Sequence, residues 1–165
     1  MNCLQSQYIW ASADSVGIAA RPPNTFIKCG SGDDAPAASA GSNVLNGGFG
    51  SNFLVGATGA DGGRDTFFLD GTAGTTWDTI LNFRPGDSAT LWDYVAGQSV
   101  MVMAANEGVV GNTGATIHAA FVGAGTATNG SVTFAGLRLA DAQSKLSLTP
   151  GSVGGRSYPY IHYNG

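Results

Sequence analysis

Oxygen-bearing side chains recur at a fixed interval between Cys29 and Gly63, and residues of this type at this spacing could grip a cation. Aligned in nines, the segments that begin at Cys29, Ala38, Gly47 and Gly56 carry glycine at the fourth position (Gly32, Gly41, Gly50, Gly59) and Asp or Asn at the sixth (Asp34, Asn43, Asn52, Asp61). This fits the nonapeptide unit G-G-x-G-x-D-x-U-x of a parallel β-roll. A tight turn that aims its carbonyls at an ion needs backbone angles that glycine adopts cheaply, and the residue closing the turn must add a side-chain oxygen. The eighth position opens a short strand with an inward apolar side chain, supplied by Leu45 and Leu54. Two nonads make one coil, so Asp34 is expected to stack over Asn52 and Asn43 over Asp61. Each pair, with main-chain carbonyls, could hold one hard cation, and calcium (Ca2+) suits such oxygen ligands.

The departures from the repeat set limits. Asn43 and Asn52 offer neutral oxygens, leaving each stacked pair about one formal negative charge, and affinities on the order of 10⁻⁴ to 10⁻³ M are expected, as in extracellular modules. Pro36 and Gly63 fall at the inward position, where both are poor strand residues. A second register, Arg64-Asp65-Thr66-Phe67-Phe68, makes Asp65 the ligand and turns Phe67 inward. That slipped register is the preferred reading.

Other chemistry is sparsely provided. No G-x-S-x-G nucleophile elbow occurs, since Gly97-Gln98-Ser99-Val100-Met101 lacks the second glycine. His118 and His162 stand apart from any H-E-x-x-H pair, which disfavours zinc. A calcium ion with an open position could polarise a small ester or lactone carbonyl while a nearby base activates water. Asp65, Asp70, Asp78 and Asp87, around the junction of roll and cap, are the candidate bases, with His118 more distant. Asp70, Asp78 and Asp87 sit beside Gly or Thr in turn-like sequence, where Asp commonly serves backbone hydrogen bonds instead. Glycosidase chemistry needs two carboxyl groups across a sugar, and one Glu (Glu107) among ten Asp singles out no pair. Trp10, Trp77, Trp92, Tyr94, Tyr158, Tyr160 and Tyr163 could stack on a glycan or fill a core.

The elements that must position these residues are strands. Twenty-six glycines and a charged fraction of only 11% in 165 residues argue for short strands and turns, while 43% hydrophobic content supports a real core. The expected fold is all-β: a short parallel β-roll over residues 26–70, capped by an antiparallel β-sheet or sandwich over 71–165, in one domain. Two coils are few for a stacked architecture, so a cap is required. A strand at Gln7 to Ala11 is expected to cover one end. Further strands are predicted at Asp65 to Asp70, Trp77 to Phe83, Ala89 to Tyr94, Ser99 to Ala104, Ala115 to Val122, Ser131 to Ala135 and Tyr158 to Tyr163. Asn129-Gly130 is read as a turn and Leu139 to Leu146 as a short helix. A net charge of −4 with scattered basic residues disfavours nucleic acid. No run approaches the roughly 18 apolar residues of a membrane span, and the start lacks the features of a cleavable signal peptide. Cys3 and Cys29 could form one bridge or remain two thiols.

The segments Asn24-Thr25-Phe26-Ile27, Gly30-Ser31-Gly32-Asp33-Asp34, Asn43 to Gly48, Gly50 to Leu54, Asp65 to Asp70, and Trp77-Asp78-Thr79-Ile80 on to Asp87 and Trp92 resemble the RTX-type calcium-binding domains of large secreted alphaproteobacterial proteins. The resemblance covers nearly the whole chain, most specifically Phe26 to Trp92. It implies a β-roll that folds with calcium and type I export to the exterior. It puts ligands at Asp34, Asn43, Asn52 and Asp61 or Asp65, with main-chain help from Gly30, Gly32, Gly48 and Gly50. Several members of that family are secreted hydrolases, and size and composition also resemble a small calcium-dependent acyl-homoserine lactone hydrolase, a quorum-quenching lactonase.

Overall fold

A computed structural model describes residues 7–10, 14–19, 23–58, 63–69, 76–91, 100–123 and 126–165. Cys3, Gly59, Asp61, Asp70, Trp92, Tyr94 and Ser99 lie outside the described residues. The chain is nearly all-β: a stacked parallel solenoid of about three turns with antiparallel strands at its C-terminal end.

Among the described residues, two seven-stranded sheets face each other across the core. One takes β1 (Gln7–Trp10), β3 (Thr25–Lys28), β5 (Val44–Asn46), β7 (Thr66–Leu69) and β9 (Ser88–Leu91) in parallel order, then β14 (Arg156–Tyr163) and β13 (Leu146–Val153) antiparallel. The other takes β2 (Gly17–Ala19), β4 (Ala35–Ala37), β6 (Phe53–Val55) and β8 (Thr76–Leu81) in parallel order, followed by β12 (Thr126–Ala135), β11 (Gly114–Gly123) and β10 (Val100–Glu107). The single helix among the described residues, α1 (Leu139–Lys145), carries Asp141 in its first turn and Lys145 in its last, each favourable to the helix dipole.

Alternation within three- and four-residue strands builds the core. Ile27, Leu45, Phe67 and Ala89 stack in one column, continued by Ile161, and all are fully buried. Leu54, Ile80 and Phe134 form the facing column. Burial of each large apolar side chain stabilises by about 1.5–3 kcal/mol. Phe83 closes the C-terminal end, edge-on to Phe67 at 5.9 Å and packed against Phe134 at 4.6 Å and Tyr163 at 5.7 Å.

The slipped register is the observed one: Val44 pairs with Thr66 and Leu45 with Phe67. Coil length varies along the chain, with stacked residues 18 apart at Asp34 and Asn52, 22 at Asn43 and Asp65, 26 at Asn52 and Asp78, and 22 again at Asp65 and Asp87. A strict period of nine therefore fails after Val55, and inward apolar residues fix the register instead. The parallel stack also exceeds residues 26–70. It begins at β1 and runs through β8 and β9 to Leu91; β12 adds to β8 in parallel, and the other pairings of β10 to β14 are antiparallel.

One further expectation is corrected, and the expected helix is present one residue shorter, as α1. Asn129-Gly130 is no turn but lies inside β12, where Gly130 pairs with both Ala119 and Thr76. The ten-pair ladder from Gly114↔Ala135 to Gly123↔Thr126 outweighs the local turn preference of two residues. Leu146 ends the expected helix by opening β13, an edge strand that tolerates Pro150 because an edge needs fewer donors.

Candidate metal centre

The turns between strands are held by two ladders of side-chain oxygens. At the sixth position of each unit the side chain reaches back to a main-chain N–H of the preceding coil. Val16 N–H donates to Asp34 Oδ1 at 2.8 Å, Asp34 N–H to Asn52 Oδ1 at 2.9 Å and Asn52 N–H to Asp78 Oδ1 at 2.8 Å. The parallel series runs from Thr25 N–H to Asn43 Oδ1 at 3.0 Å, Asn43 N–H to Asp65 Oδ1 at 3.0 Å and Asp65 N–H to Asp87 Oδ1 at 2.8 Å. All six acceptor residues are buried. The fifth position works in the opposite direction: Asp33 N–H donates to Ser15 Oγ, Ser51 N–H to Asp33 Oδ1 and Arg64 N–H to Ser42 Oγ. Parallel coils leave turn N–H groups that no strand can satisfy, and a buried orphan costs about 1–3 kcal/mol. An acceptor oxygen is therefore what the sixth position must supply, and Asn supplies it as well as Asp.

The expected stacking of Asp34 over Asn52 is present, and Asn43 stacks over Asp65. Glycine is required beside them. Gly48 and Gly50 have φ of +75° and +106°, and a Cβ at either would collide with the carbonyl of Gly30 or Gly32 in the preceding coil. The Gly30 carbonyl accepts the Phe49 N–H at 2.9 Å and keeps a second lone pair.

A cation fits these cups unequally. Asn43 Nδ2 donates to the carbonyls of Ala40 and Gly41 at 3.0 and 3.2 Å and to Asp65 Oδ1 at 2.8 Å. Asn52 Nδ2 likewise donates to the Gly50 carbonyl at 3.4 Å and to Asp78 Oδ1 at 3.0 Å. In both cups an amide hydrogen already offers positive charge to the oxygens an ion would use. At Asp65 the second oxygen accepts the Ala57 N–H at 2.7 Å, and the Arg84 guanidinium stands 3.8 Å from it and 3.9 Å from Asp87 Oδ2. Asp34 differs. Its Oδ2 is buried with no hydrogen-bond partner, the one such carboxylate oxygen among the described residues. The fit is therefore best at Asp34 Oδ2, the one ladder oxygen with no donor already on it. Among the described residues no three His, Cys, Asp or Glu side chains gather to hold a metal, so such a site would rest on one carboxylate and neutral oxygens. Cys29, buried nearby, has its thiol pushed up to about 11, by burial first and then by the charge of Asp34.

Of the candidate bases, Asp65 and Asp87 are stacked neighbours beside Arg84, while Asp78 stands in the other ladder and His118 on another face. Asp65, Asp78 and Asp87 belong to the ladders. Asp87 borders an open depression of about 1010 Å³ with Arg64, Arg84 and His162. Both its oxygens are committed, Oδ1 to the Asp65 N–H and Oδ2 to the Arg84 N–H at 2.8 Å. Burial raises its carboxyl above the usual range, only partly offset by those two donors. His118 lies elsewhere, on the outer face of the second sheet, bonded to Glu107 and Ser131. Sequence reasoning missed those two partners, because the turn assigned at Asn129-Gly130 hid the pairing of His118 with Ser131. Cys29 is a free thiol, and no helix among the described residues is long and apolar enough to cross a membrane. Compared with known proteins, the chain matches no family model and no curated protein.

Proposed function

We propose that the chain is a calcium-binding β-roll module, with its principal ion at Asp34. The unpartnered, buried Asp34 Oδ2 carries this reading. A carboxylate oxygen removed from water with no donor is costly, and a divalent cation drawing also on turn carbonyls relieves that cost. This reading has one principal site where the nonad repeat alone would give a row of them, because amide hydrogens and Arg84 stand against the oxygens of the other cups. Few charged ligands mean millimolar affinity, which suits a protein that meets calcium outside the cell.

The test is a thermal melt in chelator and in calcium. At calcium one hundred times the dissociation constant, binding to the folded state adds about 2.7 kcal/mol. A melting temperature that rises with calcium and not with magnesium supports the reading. An unchanged melt in both solutions refutes it.

A further inference from the structure

One row of cross-strand partners on the outer face of the second sheet reads Val102, His118, Ser131, Trp77, each on a different strand. His118 Nδ1 lies 2.8 Å from Ser131 Oγ, and its Nε2 is hydrogen-bonded to Glu107. Glu107 reaches the ring because the β10–β11 hairpin bulges between Ala104 and Glu107, with Asn106 at φ +58°. A carboxylate only accepts, so with Glu107 ionised the neutral imidazole must carry its proton on Nε2. Nδ1 then offers a lone pair, and the Ser131 hydroxyl must donate to it. The Trp77 ring stands edge-on to His118 at 5.4 Å and is locked by its Nε1–H donating to Thr133 Oγ1 at 2.8 Å. His118 and Glu107 remain over one third exposed, as are Val102 and Trp77 on either side.

We propose that Ser131, His118 and Glu107 form a metal-independent acyl-transfer site for small activated esters, separate from the calcium turn. Nucleophile, base and orienting carboxylate follow the same logic as other serine hydrolase sites, with the two ring nitrogens exchanged. Ser131 Oγ bonds to the ester carbonyl carbon while its proton passes to His118 Nδ1. The tetrahedral adduct collapses, the C–O bond to the leaving group breaks, and that oxygen takes the proton from Nδ1. Water then attacks the acyl-serine, giving a proton to Nδ1, and Ser131 Oγ leaves with it. Exposed Trp77 and Val102 sit at the two ends of the row, roughly 14 Å apart at ordinary strand spacing, and offer apolar surface to the acyl and leaving groups. The strand N–H groups around Ser131 are committed to the ladders and supply no oxyanion hole. Leaving groups that depart easily are therefore the substrates of choice.

The test uses the full chain with a fluorophosphonate probe and with p-nitrophenyl acetate, in calcium buffer. Peptide mass spectrometry is expected to place the phosphonyl adduct on Ser131. Ser131→Ala, shown folded by circular dichroism, loses the adduct, and His118→Ala slows labelling on the order of a hundredfold, the scale of a lost general base. Glu107 is a positioning residue, so Glu107→Gln lowers kcat on p-nitrophenyl acetate with KM unchanged. No adduct on the wild-type chain, an adduct on another residue, or Ser131 labelling at equal rate in His118→Ala overturns the proposal.

Discussion

Replacing Asp34 by Asn separates the two jobs of that side chain. The amide keeps an oxygen for the Val16 N–H, now 2.8 Å from Asp34 Oδ1. It exchanges the unpartnered Oδ2 for an NH₂ group. Asn43 and Asn52 show where such a group goes, donating to Gly41 and Gly50, the carbonyls two residues earlier. The equivalent carbonyl for residue 34 is that of Gly32. Removing one buried, unsatisfied polar atom recovers about 1–3 kcal/mol. For a chain of this size that raises the melting temperature by roughly 2–4 °C per kcal/mol. Asp34→Asn is thus expected to melt higher than the wild type in chelator and to lose the response to calcium. Asp34→Ala, which abandons the Val16 N–H, melts lower in chelator and also loses the response. Differential scanning calorimetry of the three proteins, with and without calcium, reads all of this at once. A destabilised Asp34→Asn in chelator, or one that keeps the wild-type calcium shift, refutes the reasoning.

Four other outcomes follow from the same geometry. Because the folded Cys29 thiol titrates at about 11 against 9.0 for a free one, unfolding releases a proton between those values. The Cys29 contribution to stability is therefore constant below pH 9 and falls as pH rises through that window, by up to about 2.7 kcal/mol, and Cys29→Ala removes this part of the slope in denaturant titrations. Calcium bound at Asp34 removes part of the charge that raises the thiol, so thiolate absorbance is expected to titrate lower with calcium than with chelator. Gly48→Ala combines positive φ with a collision against the Gly30 carbonyl and costs about 1–3 kcal/mol in chemical denaturation. Leu45→Ala empties the centre of the stacked column and costs about 2–5 kcal/mol by the same assay.

Much of the solenoid was legible because its physics is local and periodic. Glycine at the turn, an oxygen two residues later and an apolar residue two further on are each forced by a neighbour eighteen residues away, as Asp34 and Asn52 demonstrate. Phe67 made the slipped register readable, since only that alignment buries it over Leu45. Asn43 and Asn52 have a role that their sequence does not display. Their sequence reads as weakened ligands, whereas their amide hydrogens bond the turn carbonyls, a role visible only once donor directions are known. Asp78 and Asp87 gave no repeat signal because the intervening coils lengthen, yet they continue the ladders. The Glu107, His118 and Ser131 row depends on the register of a long antiparallel hairpin, and the Asn129-Gly130 pair points to a different register from the one adopted.

Isothermal titration of the folded wild-type chain with calcium, repeated on Asp34→Asn, goes straight to the question of whether one turn holds an ion. One calcium per chain, bound in the 10⁻⁴ to 10⁻³ M range and absent from the variant, is the expected result. Heat that is nil in the wild type, or that persists unchanged in Asp34→Asn, contradicts it.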